Sequence, residues 1–99
     1  MRSLWLTPEA ELDLDEAHAW YSKQRPGLGG QFLRAVDRSL DAIRRHPEAY
    51  QLVDRKMRRA LLRRFPYGVF FEVAETEIVV YAFFHCAREP RAWKRKSDA

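Results

Sequence analysis

The chain of 99 residues holds a single cysteine, Cys86. That excludes an intramolecular disulfide and any zinc site built on several thiolates. It has no apolar run approaching the ~18–20 residues a membrane span needs, so no membrane association is expected. Behind Arg2 there is no long apolar stretch; Pro8 and the acids Glu9 and Glu11 follow instead, so the start does not read as a secretory signal. A cytoplasmic protein is the expectation. There is no internal repeat and no low-complexity segment. No phosphate-cradling glycine loop, no metal-ligand spacing and no carboxylate pair on a strand stands out, so neither cofactor nor metal is expected.

What is present is ordinary for a globule: 46% apolar, 32% charged and 13% aromatic residues. This excludes a chain too polar to fold, and the length fits one domain over residues 1–99. A domain this small buries a modest share of its surface, which makes a partner that completes the core plausible. The net charge of +4 is uneven. Residues 1–50 carry 7 Lys/Arg against 8 Asp/Glu, and residues 51–99 carry 11 against 6. The basic half could meet nucleic acid, an acidic protein or only solvent.

Arg2–Leu6, short and rich in large apolar groups, reads as a first strand. Thr7-Pro8-Glu9 is a helix start, with Thr7 as cap, Pro8 in the first turn and acids near the positive end of the dipole. Ala10, Leu14, Ala17 and Tyr21 form one helical stripe, predicting a helix over 8–24. Pro26 and Gly27 break it. Phe32, Val36, Leu40 and Ile43 then repeat at helical spacing, with Arg34, Asp37, Arg38, Asp41 and Arg44 on the other side, predicting a second helix over 29–46. Pro47 ends it. Two helices joined by a short turn should form an antiparallel hairpin.

Beyond Pro47 the period becomes extended. Strands are predicted at Tyr50–Val53, Met57–Phe65, Val69–Val73 and Ile78–Phe84, joined by short turns into an antiparallel meander. Pro90 opens a short C-terminal helical turn through Trp93. The expected fold is therefore α+β: an N-terminal strand, a helical hairpin, then an antiparallel sheet. Two helices cover only one face of such a sheet. Strict alternation in the last strand puts Val79, Tyr81 and Phe83 on one side and Ile78, Val80, Ala82 and Phe84 on the other. One aromatic face is thus left over, which marks a protein interface, unless the C-terminal turn folds back across it.

The segments, taken in order, resemble the RelE/ParE superfamily of bacterial type II toxins. Ala10–Tyr21, with its Leu12-Asp13-Leu14-Asp15-Glu16-Ala17-His18-Ala19-Trp20-Tyr21 run, is similar to the first helix of these toxins, and Gly27–Leu33 to their helix-to-helix turn. Ile43–Pro47 resembles the end of the second helix. Arg63-Arg64-Phe65-Pro66-Tyr67 before Val69-Phe70-Phe71 resembles the arginine-to-strand segment. Ile78–Phe84, then His85, Arg88 and Trp93, resembles the closing signature. The resemblance implies the strand–hairpin–sheet architecture and a hetero-oligomeric complex with a cognate, ParD-like antitoxin encoded beside the toxin. It also implies a role in plasmid stabilisation.

Within the superfamily, RelE-like members cut ribosome-bound messenger RNA and ParE-like members poison DNA gyrase without cutting anything themselves. Cleavage of RNA needs a base, an acid and cations for the phosphate. The candidates for that chemistry are His85, Arg88 and Arg64. RelE-like sets commonly add a C-terminal tyrosine or lysines on the middle strands. Here Trp93 stands near the end, and the middle strands carry only Lys56. The resemblance therefore favours a non-enzymatic ParE-like poison of DNA gyrase, with an RNA endonuclease as the alternative. A stand-alone nucleic-acid-binding module is a second alternative. The residues expected to meet the target are His85, Arg88, Trp93 and Lys94, and those expected to meet the antitoxin are Arg58, Arg59, Phe70, Tyr81 and Phe83. Arg58 and Arg59 must point to opposite faces, as must His85 and Cys86, which argues against a thiol–histidine pair.

Overall fold

A five-stranded sheet carries a helical hairpin on one face; the structure, a computed structural model, describes residues 2–86. The elements run β1 (Ser3–Leu6), α1 (Pro8–Gln24), α2 (Leu28–Arg45), a 3₁₀ turn (Pro47–Ala49), β2 (Gln51–Asp54), β3 (Met57–Leu61), β4 (Tyr67–Val73) and β5 (Glu77–His85). Both helices lie where the apolar period places them. The α+β fold is as expected, and Arg88, Pro90, Trp93 and Lys94, with the C-terminal turn, lie outside the described residues.

The strand order is β1-β5-β4-β3-β2. β2 to β5 form the expected antiparallel meander. β1 pairs parallel to β5, with Leu4 opposite Ile78 and Leu6 opposite Val80, so the sheet is mixed. A parallel pair needs a long connection, and the hairpin plus the meander supply it. β5 thereby lies between two strands, which accounts for its apolar character on both faces.

Thr7 caps α1 by accepting from the Ala10 N–H at 3.1 Å. The same residue ties the helix start to β5: its N–H donates to the Val80 carbonyl at 3.0 Å, and its hydroxyl to the Tyr81 carbonyl at 3.5 Å. Six residues further on, the Asp13 carboxylate accepts from the Phe83 N–H at 3.2 Å. β1 ends opposite Val80, so α1 takes over the edge of β5 where the neighbouring strand stops. These contacts satisfy backbone groups that a bare edge would leave to water.

β5 breaks the alternation expected of it. Phe70 pairs with Ala82 but Phe71 pairs with Val80, so Tyr81 is an extra residue, a β-bulge. The bulge shifts the side-chain phase by one. Ile78, Val80 and Phe83 consequently all join the core beneath the helices, with Ala10, Ala17, Tyr21, Phe32, Val36 and Ile43. Ala82 and Phe84 turn to the opposite face with Met57 and Phe70. The grouping expected from strict alternation is thus corrected, because the period of two restarts after Tyr81.

The second face is also less bare than expected. Among the described residues no helix lies over it, yet Phe70 is 4% and Phe84 8% exposed. Their rings lie 6.0 Å apart. The Phe70 ring folds back along Gly68, where an added Cβ would meet it at 3.1 Å and the Arg59 stem at 3.3 Å. Among the described residues the large exposed apolar groups are instead Trp5, Leu12, Trp20, Leu52 and Leu61.

β3 ends at Leu61 rather than Phe65. Arg64 adopts a left-handed backbone (φ 73°) that no strand tolerates. The turn is closed by Leu62 N–H to the Tyr67 carbonyl at 2.9 Å and Tyr67 N–H to the Phe65 carbonyl at 2.8 Å. It drives Phe65 and Tyr67 between the helices, where Tyr21, Phe32, Phe65 and Tyr67 form a knot of rings with centroids 5.0–6.1 Å apart.

Candidate functional site

His85 ends β5 on the helix side, opposite Tyr67, with the two rings edge to face at 5.4 Å. It borders a cavity of about 230 Å³ lined also by Asp13, Glu16, Ala17, Trp20, Tyr67, Phe83 and Phe84. A second hollow beside it is walled by Trp20, Tyr21, Pro66 and Tyr67. Among the described residues, those around His85 are aromatic and acidic. Asp13 and Glu16 reach it because the α1 face carrying them also carries the contact to β5 at Phe83.

Arg64 belongs elsewhere. With Arg38 and Arg63 it rims a groove of about 480 Å³ between α2 and the β3–β4 turn, whose other walls are Gln31, Ala35, Ser39, Ala42, Tyr50, Leu61 and Phe65. His85 and Arg64, paired in the sequence reading as acid–base group and phosphate cation, thus line separate cavities. Arg88, the third member of that set, lies outside the described residues, as do Trp93 and Lys94.

The five residues expected to meet the antitoxin do not share a surface. Arg58 faces the helix side, and its guanidinium donates to the Tyr50 carbonyl at 2.7 Å and the Glu48 carbonyl at 3.4 Å. Phe83 is in the core beneath the helices, 2% exposed. Arg59, Phe70 and Tyr81 belong to the other face. There the Tyr81 hydroxyl donates to the Glu72 carboxylate at 3.3 Å. Burial, then the charges and hydrogen bond of Glu72 and the charge of Glu77, hold the Tyr81 phenol above its ordinary pKa. The opposed directions of Arg58 and Arg59 follow the strand period as expected.

The groove was the feature sequence reasoning missed. On α2, Gln31, Ala35, Arg38, Ser39 and Ala42 fall along one ridge, of which the helical period singles out only Arg38, on the polar side. What makes them a wall is the β3–β4 turn packing beside them, which no local pattern reveals. Among the described residues no group of three His, Cys, Asp or Glu side chains could hold a metal ion. No helix among them is long and apolar enough to cross a membrane.

A mixed sheet with β1 parallel to β5 and an amphipathic hairpin on one face is a fold already seen among toxin–antitoxin proteins. A chain in the structure of a chromosomal ParDE toxin–antitoxin system from P. aeruginosa matches it with a TM-score of 0.63 and 22% identity, covering 86% of this chain and 96% of that one. The chain belongs to the family of ParE toxins of the parDE type II toxin–antitoxin systems, whose family model matches residues 4–90. No curated protein matches it.

Proposed function

We propose that the protein is the toxin of a two-protein system, held inactive by a cognate antitoxin, and that once released it poisons DNA gyrase by binding rather than by cutting RNA. What supports the second half is the lining of the His85 cavity. Among the described residues it presents the carboxylates of Asp13 and Glu16 and no lysine or arginine. A scissile phosphate carries negative charge that increases in the transition state and calls for cations nearby. A carboxylate such as that of Glu16 acts in the opposite sense to such cations. Among the described residues, Arg38, Arg63 and Arg64 rim the other groove.

Support for the first half is the family membership together with the match to a ParDE system. The test is induction of the wild type and of His85→Gln. Loss of a general acid or base lowers a rate by about 10²–10⁴, whereas a peripheral contact in a binding surface costs far less. His85→Gln is expected to remain toxic, with filamentation and DNA damage and with intact ribosome-bound messages. Codon-positioned cuts in messenger RNA that disappear in His85→Gln would refute the reading and establish the endonuclease.

A further inference from the structure

We infer that the cavity beside His85 receives a basic side chain, best an arginine, of the protein that the toxin acts on; that this protein is gyrase rests on the reading above. α1 builds the acidic wall. Asp13 and Glu16 are three residues apart and so share a face, and Trp20 follows Glu16 by four. Tyr67 and His85, paired across β4 and β5, supply the facing rings. Asp13 is engaged by the Phe83 N–H, which leaves Glu16 as the carboxylate that pairs with an incoming cation. A guanidinium uses both kinds of wall: its flat face stacks on an indole or phenol, and its N–H fork meets a carboxylate. About 230 Å³ accommodates that group. The hollow beside it, walled by Trp20, Tyr21, Pro66 and Tyr67, offers apolar surface to the methylene stem.

The surface around the cavity decides what kind of molecule carries the cation. A metal ion finds too few ligands, since no three His, Cys, Asp or Glu side chains among the described residues could hold one. Leu12 is 59% and Trp20 49% exposed. Each is four residues from Glu16, so the two flank it by about 6 Å along the helix axis. α1 thus presents apolar groups on either side of a carboxylate, the layout of a protein contact with one charged pair at its centre. A polyamine or a free amino acid would leave Leu12 in water, whereas a basic residue set among apolar neighbours covers it. The Trp20 ring rests edge to face on Tyr21 at 5.0 Å, so it is in place before the partner arrives and little ordering is needed on binding.

The test measures the affinity of the full-length toxin for purified gyrase by biolayer interferometry. It compares wild type, Glu16→Lys, Trp20→Leu, Leu12→Ser and a control for net charge, Glu75→Lys, at the far end of the sheet beside Arg2 and Arg55. Circular dichroism melts and a parallel titration with the antitoxin accompany each variant. Glu16→Lys is expected to raise Kd for gyrase at least about tenfold and to flatten its dependence on salt. Trp20→Leu should raise it about three- to tenfold and Leu12→Ser about threefold, while Glu75→Lys stays within about twofold. Melting temperatures and antitoxin affinity should stay at the wild-type values. Tight wild-type binding that Glu16→Lys and Trp20→Leu leave unchanged, or that Glu75→Lys weakens equally, would overturn the cavity while leaving the gyrase reading intact. No binding by the wild type would overturn both. Two further outcomes also overturn the inference. Variants that lose the antitoxin and keep gyrase would give the cavity to the antitoxin. A melting temperature lowered by Glu16→Lys, but not when Arg88→Gln or Arg91→Gln is already present, would give it to an arginine of this chain.

Discussion

Phe32 is the residue on which the fold should be most sensitive. Its ring is fully buried and contacts those of Tyr21 at 5.0 Å, Phe65 at 5.4 Å and Tyr67 at 5.3 Å. Phe32→Ala removes a ring from the point where α1, α2 and the β3–β4 turn meet. Truncating a buried phenylalanine costs ~3–5 kcal/mol, and each lost aromatic pair is worth ~0.5–1.5 kcal/mol beyond burial, not additively. A loss of about 4 kcal/mol is therefore expected. A chain of this length has a total stability of about 5–15 kcal/mol, so the variant sits at the edge of folding. With a urea m-value of about 1.5 kcal/mol/M, the midpoint should fall by about 2–3 M. Phe32→Leu keeps most of the volume and should cost less than about 1.5 kcal/mol. Urea unfolding monitored by circular dichroism, on toxin kept non-lethal by His-tagged co-expression with its partner and then separated, gives both values. An Ala variant within about 1 kcal/mol of wild type would refute the packing described here.

Other perturbations probe other parts of the fold. Asp13→Ala removes the charged acceptor of the Phe83 N–H and should cost about 1.5–3 kcal/mol, with Asp13→Asn intermediate, as read from thermal melts. Gly29→Val should destabilise by about 1–3 kcal/mol, because a Cβ at that position meets the Ser22 hydroxyl and lies 3.0–3.1 Å from the His18 ring; a melting temperature equal to wild type would contradict the close helix crossing. Burial and the neighbouring Glu72 hold the Tyr81 phenol above its ordinary pKa in the folded state. The folded state therefore holds that proton more tightly, so its contribution is fully present below pH 10 and is lost as pH rises past it. Melting temperature should fall over that alkaline range more steeply in wild type than in Tyr81→Phe, and equal slopes would show that Tyr81 is not the group responsible.

The amphipathic periods made the helices legible, and with them the core stripe Ala10, Ala17, Tyr21, Phe32, Val36 and Ile43. The run of β-branched and aromatic residues marked β5. Its sidedness was not legible, because the bulge at Tyr81 depends on how β4 and β5 pair, and one extra residue moves Phe83 into the core and Phe84 out of it. The parallel pairing of β1 with β5 was likewise invisible, since the connection between them is most of the chain. The arginines of the β3–β4 segment were visible as candidates. Their separation from His85 was not: it comes from the left-handed Arg64 and from Phe65 and Tyr67 plugging the space between the helices.

Under the proposed function the released toxin acts by binding gyrase and needs no RNA-cutting chemistry. Purified protein incubated with gyrase, negatively supercoiled plasmid and ATP tests it most directly. Protein-linked, cleaved plasmid should accumulate, an effect abolished by prior addition of the antitoxin and retained by His85→Gln. Plasmid left uncut in that assay, with the same preparation cleaving messenger RNA on programmed ribosomes, would contradict it.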